Sequence, residues 1–181
     1  MGIPTLISTG TPSDVANFDI TSNIDSTYDE YMFVLTDIHA SDDGAEFGFQ
    51  VNAAGASGFN ETITSSYFKA HLDEAGDGGA LAYVTASDQA QGTAYQDIAR
   101  NLNNDADASG AGILHLFSPS GTTYVTHFYS RIQNYEFSTP EPYSVDNFAS
   151  GYINTALAID EISFKISAGT FSGTIQMFGI A

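Results

Sequence analysis

From Thr122 to Gln133 the side chains alternate with a period of two. Tyr124, Thr126, Phe128, Ser130 and Ile132 fall on one side, and Val125, His127, Tyr129, Arg131 and Gln133 on the other. Successive residues of a strand point to opposite faces, whereas a helix needs a period near 3.6, so this stretch is predicted to be a strand. Just before it stands the apolar run Ile113 to Phe117, and Ser118-Pro119-Ser120-Gly121 between them is a turn sequence. Proline presets φ at the second turn position and glycine suits the last. The two runs are predicted to form a β-hairpin, its turn centred near Pro119-Ser120 and position 115 opposite about position 124.

The same logic extends along the chain. Tyr31 to Ile38 is almost continuously apolar, which predicts a central strand covered on both faces. Phe47, Phe49 and Val51 alternate with Gly48, Gln50 and Asn52, and Ile162, Phe164 and Ile166 with Ser163, Lys165 and Ser167. Thr174 to Ile180 reads as a last strand after a turn at Ala168-Gly169, and residues 1–13 read as an arm or a first edge segment. Between Gln91 and Asn104, Ala94, Ile98 and Leu102 recur every four residues; this fits a short amphipathic helix, with a long loop as the alternative. Many short strands with turn signals between them, and no repeat at solenoid or propeller periods, predict an all-β chain. The expected architecture is an antiparallel β-sandwich or jelly roll with long loops and at most one short helix, in a single domain over 1–181. Sheet edges in so small a sandwich invite assembly.

Charge restricts the partners. The chain has 181 residues, 22 acidic and 4 basic, for a formal charge of −18. The four cations, Lys69, Arg100, Arg131 and Lys165, lie far apart, so no basic stripe is expected to track nucleic acid or an anionic membrane surface. Disorder is not expected despite this charge, because hydrophobic residues make up 43% of the chain and can offset the ordering entropy. The absence of cysteine removes disulfides, thiolate nucleophiles and Cys-ligated metal sites. Met1-Gly-Ile-Pro lacks the basic and long apolar regions of a signal peptide, so synthesis in a cytoplasm is expected.

Candidate sites are few. Asp73 and Asp77, in Asp73-Glu74-Ala75-Gly76-Asp77, and Asp105 and Asp107, in Asn103-Asn104-Asp105-Ala106-Asp107, offer oxygen ligands of the kind calcium prefers. Ala108 stands where a calcium loop of the EF-hand type needs glycine, and Asx residues favour loops on their own account, so solvated loops are the expected outcome, with no metal and no cofactor. His39, His71, His115 and His127 have no zinc-motif spacing. Gly55-Ala56-Ser57-Gly58 departs from the nucleophile elbow, and no phosphate-cradling glycine pattern occurs. No catalytic residue is assigned, and no enzyme activity is expected, although paired carboxylates of a glycosidase can be judged only in three dimensions. Tyr67, Tyr95, Tyr143 and Tyr152 lie near loop-like sequence and are candidates to stack on sugars, with interface or structural roles as the competing reading.

Several stretches resemble small virion structural proteins of marine tailed phages, contractile-tailed cyanophages in particular. They include Tyr28-Asp29-Glu30-Tyr31 with Phe33-Val34-Leu35-Thr36-Asp37-Ile38-His39, Gly58-Phe59-Asn60-Glu61-Thr62-Ile63-Thr64-Ser65-Ser66-Tyr67-Phe68 and Asp88-Gln89-Ala90-Gln91-Gly92-Thr93-Ala94-Tyr95. Gly151-Tyr152-Ile153-Asn154, Ile159-Asp160-Glu161-Ile162-Ser163-Phe164-Lys165 and Gly173-Thr174-Ile175-Gln176-Met177-Phe178-Gly179-Ile180 continue the likeness, which spans residues 24–181. The resemblance implies a β-sandwich module on the particle exterior, a capsid decoration or a tail or fibre appendage, with other virion proteins as partners. It carries over no site residues. A host surface glycan is the other expected ligand class, and a homo-oligomer is expected, a trimer suiting a fibre or a threefold capsid position. The acidic, lysine-poor surface suits a salt-screened exterior and not one facing a genome.

Overall fold

A computed structural model describes residues 2–181. The chain folds into thirteen strands: β1 (Thr5–Gly10), β2 (Asn17–Ile20), β3 (Glu30–Ala40), β4 (Ala45–Ala53), β5 (Ile63–Asp73), β6 (Ala80–Tyr83), β7 (Ala90–Gly92), β8 (Gln96–Leu102), β9 (Gly110–Phe117), β10 (Thr126–Glu136), β11 (Tyr143–Ile153), β12 (Ile159–Ile166) and β13 (Phe171–Ile180). The one helical element among the described residues is a single 3₁₀ turn, Thr85–Ser87. The chain is therefore all-β, as its alternation predicts.

Every strand pairing is antiparallel, and the sheet curls over on itself. Its larger part runs β1-β13-β3-β9-β10-β11-β5, with β6 and β7 sharing the far side of β5. Its smaller part runs β8-β4-β12-β2, and the two join where Glu136, ending β10, pairs Leu102, ending β8. The parts face each other. Phe33 on β3 meets Phe164 on β12 with ring centroids 5.6 Å apart, Phe49 on β4 meets Phe128 on β10 at 5.0 Å, and Phe47 on β4 meets Phe171 on β13 at 5.0 Å. None of these strand pairs is hydrogen-bonded, so the rings meet across the layers. Leu35, Leu114, Leu116, Ile162, Ile175 and Met177, each exposed by 1% or less, complete the core.

The predicted hairpin forms from β9 and β10, in a different register. His115 lies opposite Tyr129 and Phe117 opposite His127. The turn itself closes as read, with the Gly121 N–H donating to the Ser118 carbonyl at 2.9 Å. The next residues do not return into the ladder, because the Pro119 carbonyl accepts the Ile159 N–H at 2.8 Å and draws the loop toward the start of β12. The connection therefore spans 118–125, and Tyr124, which the alternation places inward, is 81% exposed. From Thr126 onward the alternation holds: Phe128, Ser130 and Ile132 are buried, while His127, Tyr129 and Arg131 are exposed.

Two further expectations are corrected. Gln91 to Asn104 contains no helix; it supplies the end of β7 and all of β8. Ile98 and Leu102 are four apart, an even spacing that also shares one face of a strand, and both are buried against β4 and the core. In β3, Tyr31, Phe33 and Leu35 are buried but Met32 and Val34 only half-buried, so the strand is central in hydrogen bonding yet has one core face. At the N-terminus, Thr5–Gly10 pairs with β13 as an edge strand.

Candidate functional site

The candidate calcium loops are closed by their own hydrogen bonds. Asp73 Oδ1 accepts the N–H groups of Gly76 at 2.7 Å and Asp77 at 3.0 Å. Partial burial pushes the Asp73 carboxyl up, and the N–H bonds from Gly78, Gly76 and Asp77 more than reverse this and hold it below the usual range. Asp77 is exposed. Asp105 and Asp107 are exposed on a loop fixed by Asn103 Oδ1, which accepts the Asp105 N–H at 2.6 Å, and by the Ala108 N–H on the Asp105 carbonyl at 2.8 Å. No three His, Asp or Glu side chains converge as metal ligands among the described residues. His115 and His127 have separate partners: His115 Nδ1 meets the Glu30 carboxylate, and the His127 ring lies 6.3 Å from that of Tyr152.

The four tyrosines separate by burial. Tyr67 is corrected as a stacking candidate: it is fully buried on the inward face of β5, where its O–H donates to Asn147 Oδ1 at 2.5 Å. Tyr143 is half-buried, its ring edge-on to His71 at 5.1 Å. Tyr152 lies on the outward face of β11. Tyr95 lies across the outward face of the smaller sheet, its O–H donating to Ser163 at 3.0 Å and the Lys165 Nζ standing 5.2 Å from its ring centroid.

A polar network lies inside, between β8 and the β10–β11–β5 part of the larger sheet. Asn147 Nδ2 donates to Asn134 Oδ1 at 2.6 Å, and Asn134 Nδ2 donates to the Arg100 carbonyl at 3.1 Å. Beside it Lys69 Nζ donates to both oxygens of Glu136 at 2.7 Å, and Ser87 Oγ to Asp97 Oδ2 at 2.7 Å. Burial raises the Tyr67 hydroxyl far above its usual value. It also raises the Asp97 carboxyl, partly opposed by the Ser87 bond. These groups satisfy one another, and only a strand-level register could have shown it in advance.

Two surfaces remain open. The first is a cleft of about 390 Å³ over Gly48, walled by Glu46, Tyr95, Asp97 and Lys165. Gly48 makes its floor, since a Cβ there would lie 2.7 Å from the Gln96 carbonyl oxygen. The second is the outward face of the larger sheet from β9 to β6. Cross-strand register places Phe117, His127 and Tyr152 in one row, Ile113, Arg131, Phe148, Phe68 and Tyr83 in another, and Gln133, Asp146, Ala70 and Leu81 in a third. His115 stacks on Tyr129 at 4.6 Å, Phe68 on Phe148 at 4.7 Å, and the Arg131 guanidinium lies 5.1 Å from the Phe148 ring. Phe68, Tyr129, Leu72, Tyr83 and Leu81 are 40–74% exposed. A sequence signal existed for Tyr129, which shares the outward side of the β10 alternation with Arg131; the β5 and β6 residues carried none.

The outward positions of these strands carry no net charge, while acids stand at the margins. The Glu30 carboxylate meets His115, Asp88 accepts the Tyr83 O–H at 2.6 Å, and Glu74, Asp105, Asp107 and Glu141 lie toward Tyr135. Asp146 is the single acidic side chain among the outward positions of β9, β10, β11, β5 and β6, and Arg131 neutralises it through a contact of 2.6 Å. The other cations are engaged elsewhere: Lys69 with Glu136, Arg100 with Glu46 at 3.2 Å, and Lys165 on the Tyr95 ring. In a chain of charge −18, an aromatic face whose outward positions carry one balanced ion pair is the surface that stands apart. No family model, curated protein or solved structure matches this chain.

Proposed function

We propose that this chain is a non-enzymatic structural protein of a phage virion, displayed on the particle exterior as a capsid decoration or a tail or fibre appendage, and acting through protein–protein contacts. The observation that carries the contact role is the aromatic face: its outward positions present exposed rings and a single balanced ion pair on an otherwise acidic molecule. Interface cores are depleted in charge and enriched in Tyr, Phe and Arg, as are the rows through Tyr129, Phe148, Phe68, Tyr83 and Arg131. The virion setting rests on the sequence resemblance over 24–181, and the excess of acid suits a saline exterior where the Debye length falls to a few ångströms. Electron cryomicroscopy of the particle made by the phage encoding this chain tests the reading. A sandwich of this topology on the outside, its β9–β6 face against protein, is the expected result; absence of the chain from purified particles overturns it.

A second reading, a glycan-binding receptor-recognition module of a tail fibre, draws on the cleft over Gly48. There an aromatic ring (Tyr95), an ammonium (Lys165) and two carboxylates (Glu46 and Asp97) border a space of about 390 Å³, an apolar surface beside polar groups that can hydrogen-bond a ligand's hydroxyls. Binding on a glycan array that Tyr95→Ala abolishes would favour it. An array with no signal removes it.

A further inference from the structure

We infer that the outward face of β9, β10, β11, β5 and β6 is the interface of a homodimer, its occupant a second copy of this chain related by a two-fold axis. The inference rests on the proposed role of this face in protein contacts and names the partner. Charge selects it. Two molecules of −18 repel where their acidic surfaces meet, and they repel least through the middle of this face, where the single ion pair is balanced. A cationic partner would instead be drawn to the acidic remainder of the surface, and an aromatic face with one balanced ion pair does nothing to attract it. Among the outward positions of these five strands the one anion, Asp146, and the one cation, Arg131, lie side by side, so a two-fold related copy can set each against its opposite.

Size agrees with this. Strands β10, β11 and β5 are eleven residues long, β9 eight and β6 four. At about 4.8 Å between strands and about 3.4 Å per residue they present about 700 Å² of sheet, close to the roughly 800 Å² per partner of a standard interface. Two sheet faces pack on each other as the layers of a sandwich do. That arrangement is isologous and closes at two molecules, which distinguishes it from the trimer suggested by fibre or threefold positions.

Sedimentation velocity of the purified full chain tests this, with the fold of each variant checked by circular dichroism. The wild type is expected to be a dimer that tightens as sodium chloride is raised, because screening relieves the remaining acidic repulsion. Tyr129→Asp and Leu81→Asp together are expected to weaken it about 100-fold, as loss of two interface anchors does. Arg131→Glu, at a side chain 63% exposed and so no threat to folding, is expected to dissociate it most strongly at low salt. Leu157→Asp, 56% exposed in the loop between β11 and β12, is the control and should leave the dimer intact. A wild type that stays monomeric at every salt concentration overturns the inference, as does a dimer that only Leu157→Asp disrupts. If the chain is monomeric but the face variants fail to join particles, the second-copy inference falls and the virion reading stands. A dimer formed by a chain that never enters particles has the opposite meaning.

Discussion

At the scale of single residues, the interior is decided by polar groups as much as by rings. Tyr67→Phe deletes the hydroxyl that Asn147 Oδ1 receives at 2.5 Å and leaves that oxygen buried without its donor. We expect a loss of about 1–3 kcal/mol, read as a Tm lower by about 2–4 °C for each kcal/mol in a chain of this length. Asp97 has a pH signature. Burial raises its folded pKa above the usual 3.8, so the folded chain binds that proton more tightly than the unfolded one. The stability it contributes is present in full below the unfolded pKa and is lost as pH rises through the folded value. Asp97→Asn removes this titration while keeping an acceptor for Ser87, and should melt higher than wild type at neutral pH. The difference should shrink toward zero near about pH 3; melting curves of both proteins across that range check it, and a constant difference counts against the assignment.

At the scale of elements, β1 has one neighbour. It pairs with β13 alone, and β3 holds the other side of β13. Deleting residues 1–13 should leave the rest of the sandwich cooperatively folded, with a lower Tm and faster aggregation through the bared β13 edge. Circular dichroism and light scattering of the truncated chain read both effects; loss of cooperative unfolding would show that β1 nucleates the fold. The elements were the legible part of the sequence. Strict alternation, as in β10, reports two faces whatever the neighbours are, and Phe47, Ile162 and Phe164 all fell inward as their patterns require. Register was less legible, because the β9–β10 connection depends on a bond from Ile159, which is distant in sequence. Tyr67 and Tyr152 show the same limit: each stands near a phenylalanine and a serine, and only the position of β5 and β11 within the curled sheet decides which is sealed in.

At the scale of the whole molecule, the imbalance of charge is a load on the compact state. Nineteen acids would remain if Glu136, Glu46 and Asp146 were neutralised by their partners and the other 22 − 3 carboxylates left free. Raising sodium chloride from about 0.01 M to about 1 M shortens the Debye length from about 30 Å to about 3 Å, and the Tm should rise across that range. A flat or falling Tm in calorimetry would mean the acids repel little. The few cations have one more consequence. Lys69 lies in β5, Arg100 in β8, Arg131 in β10 and Lys165 in β12, each within a paired strand. Trypsin, which cuts after lysine and arginine, therefore finds no cleavable loop on the folded chain and must wait for strands to open. Digestion should be slow and then complete, its rate a clock for the opening of the sandwich.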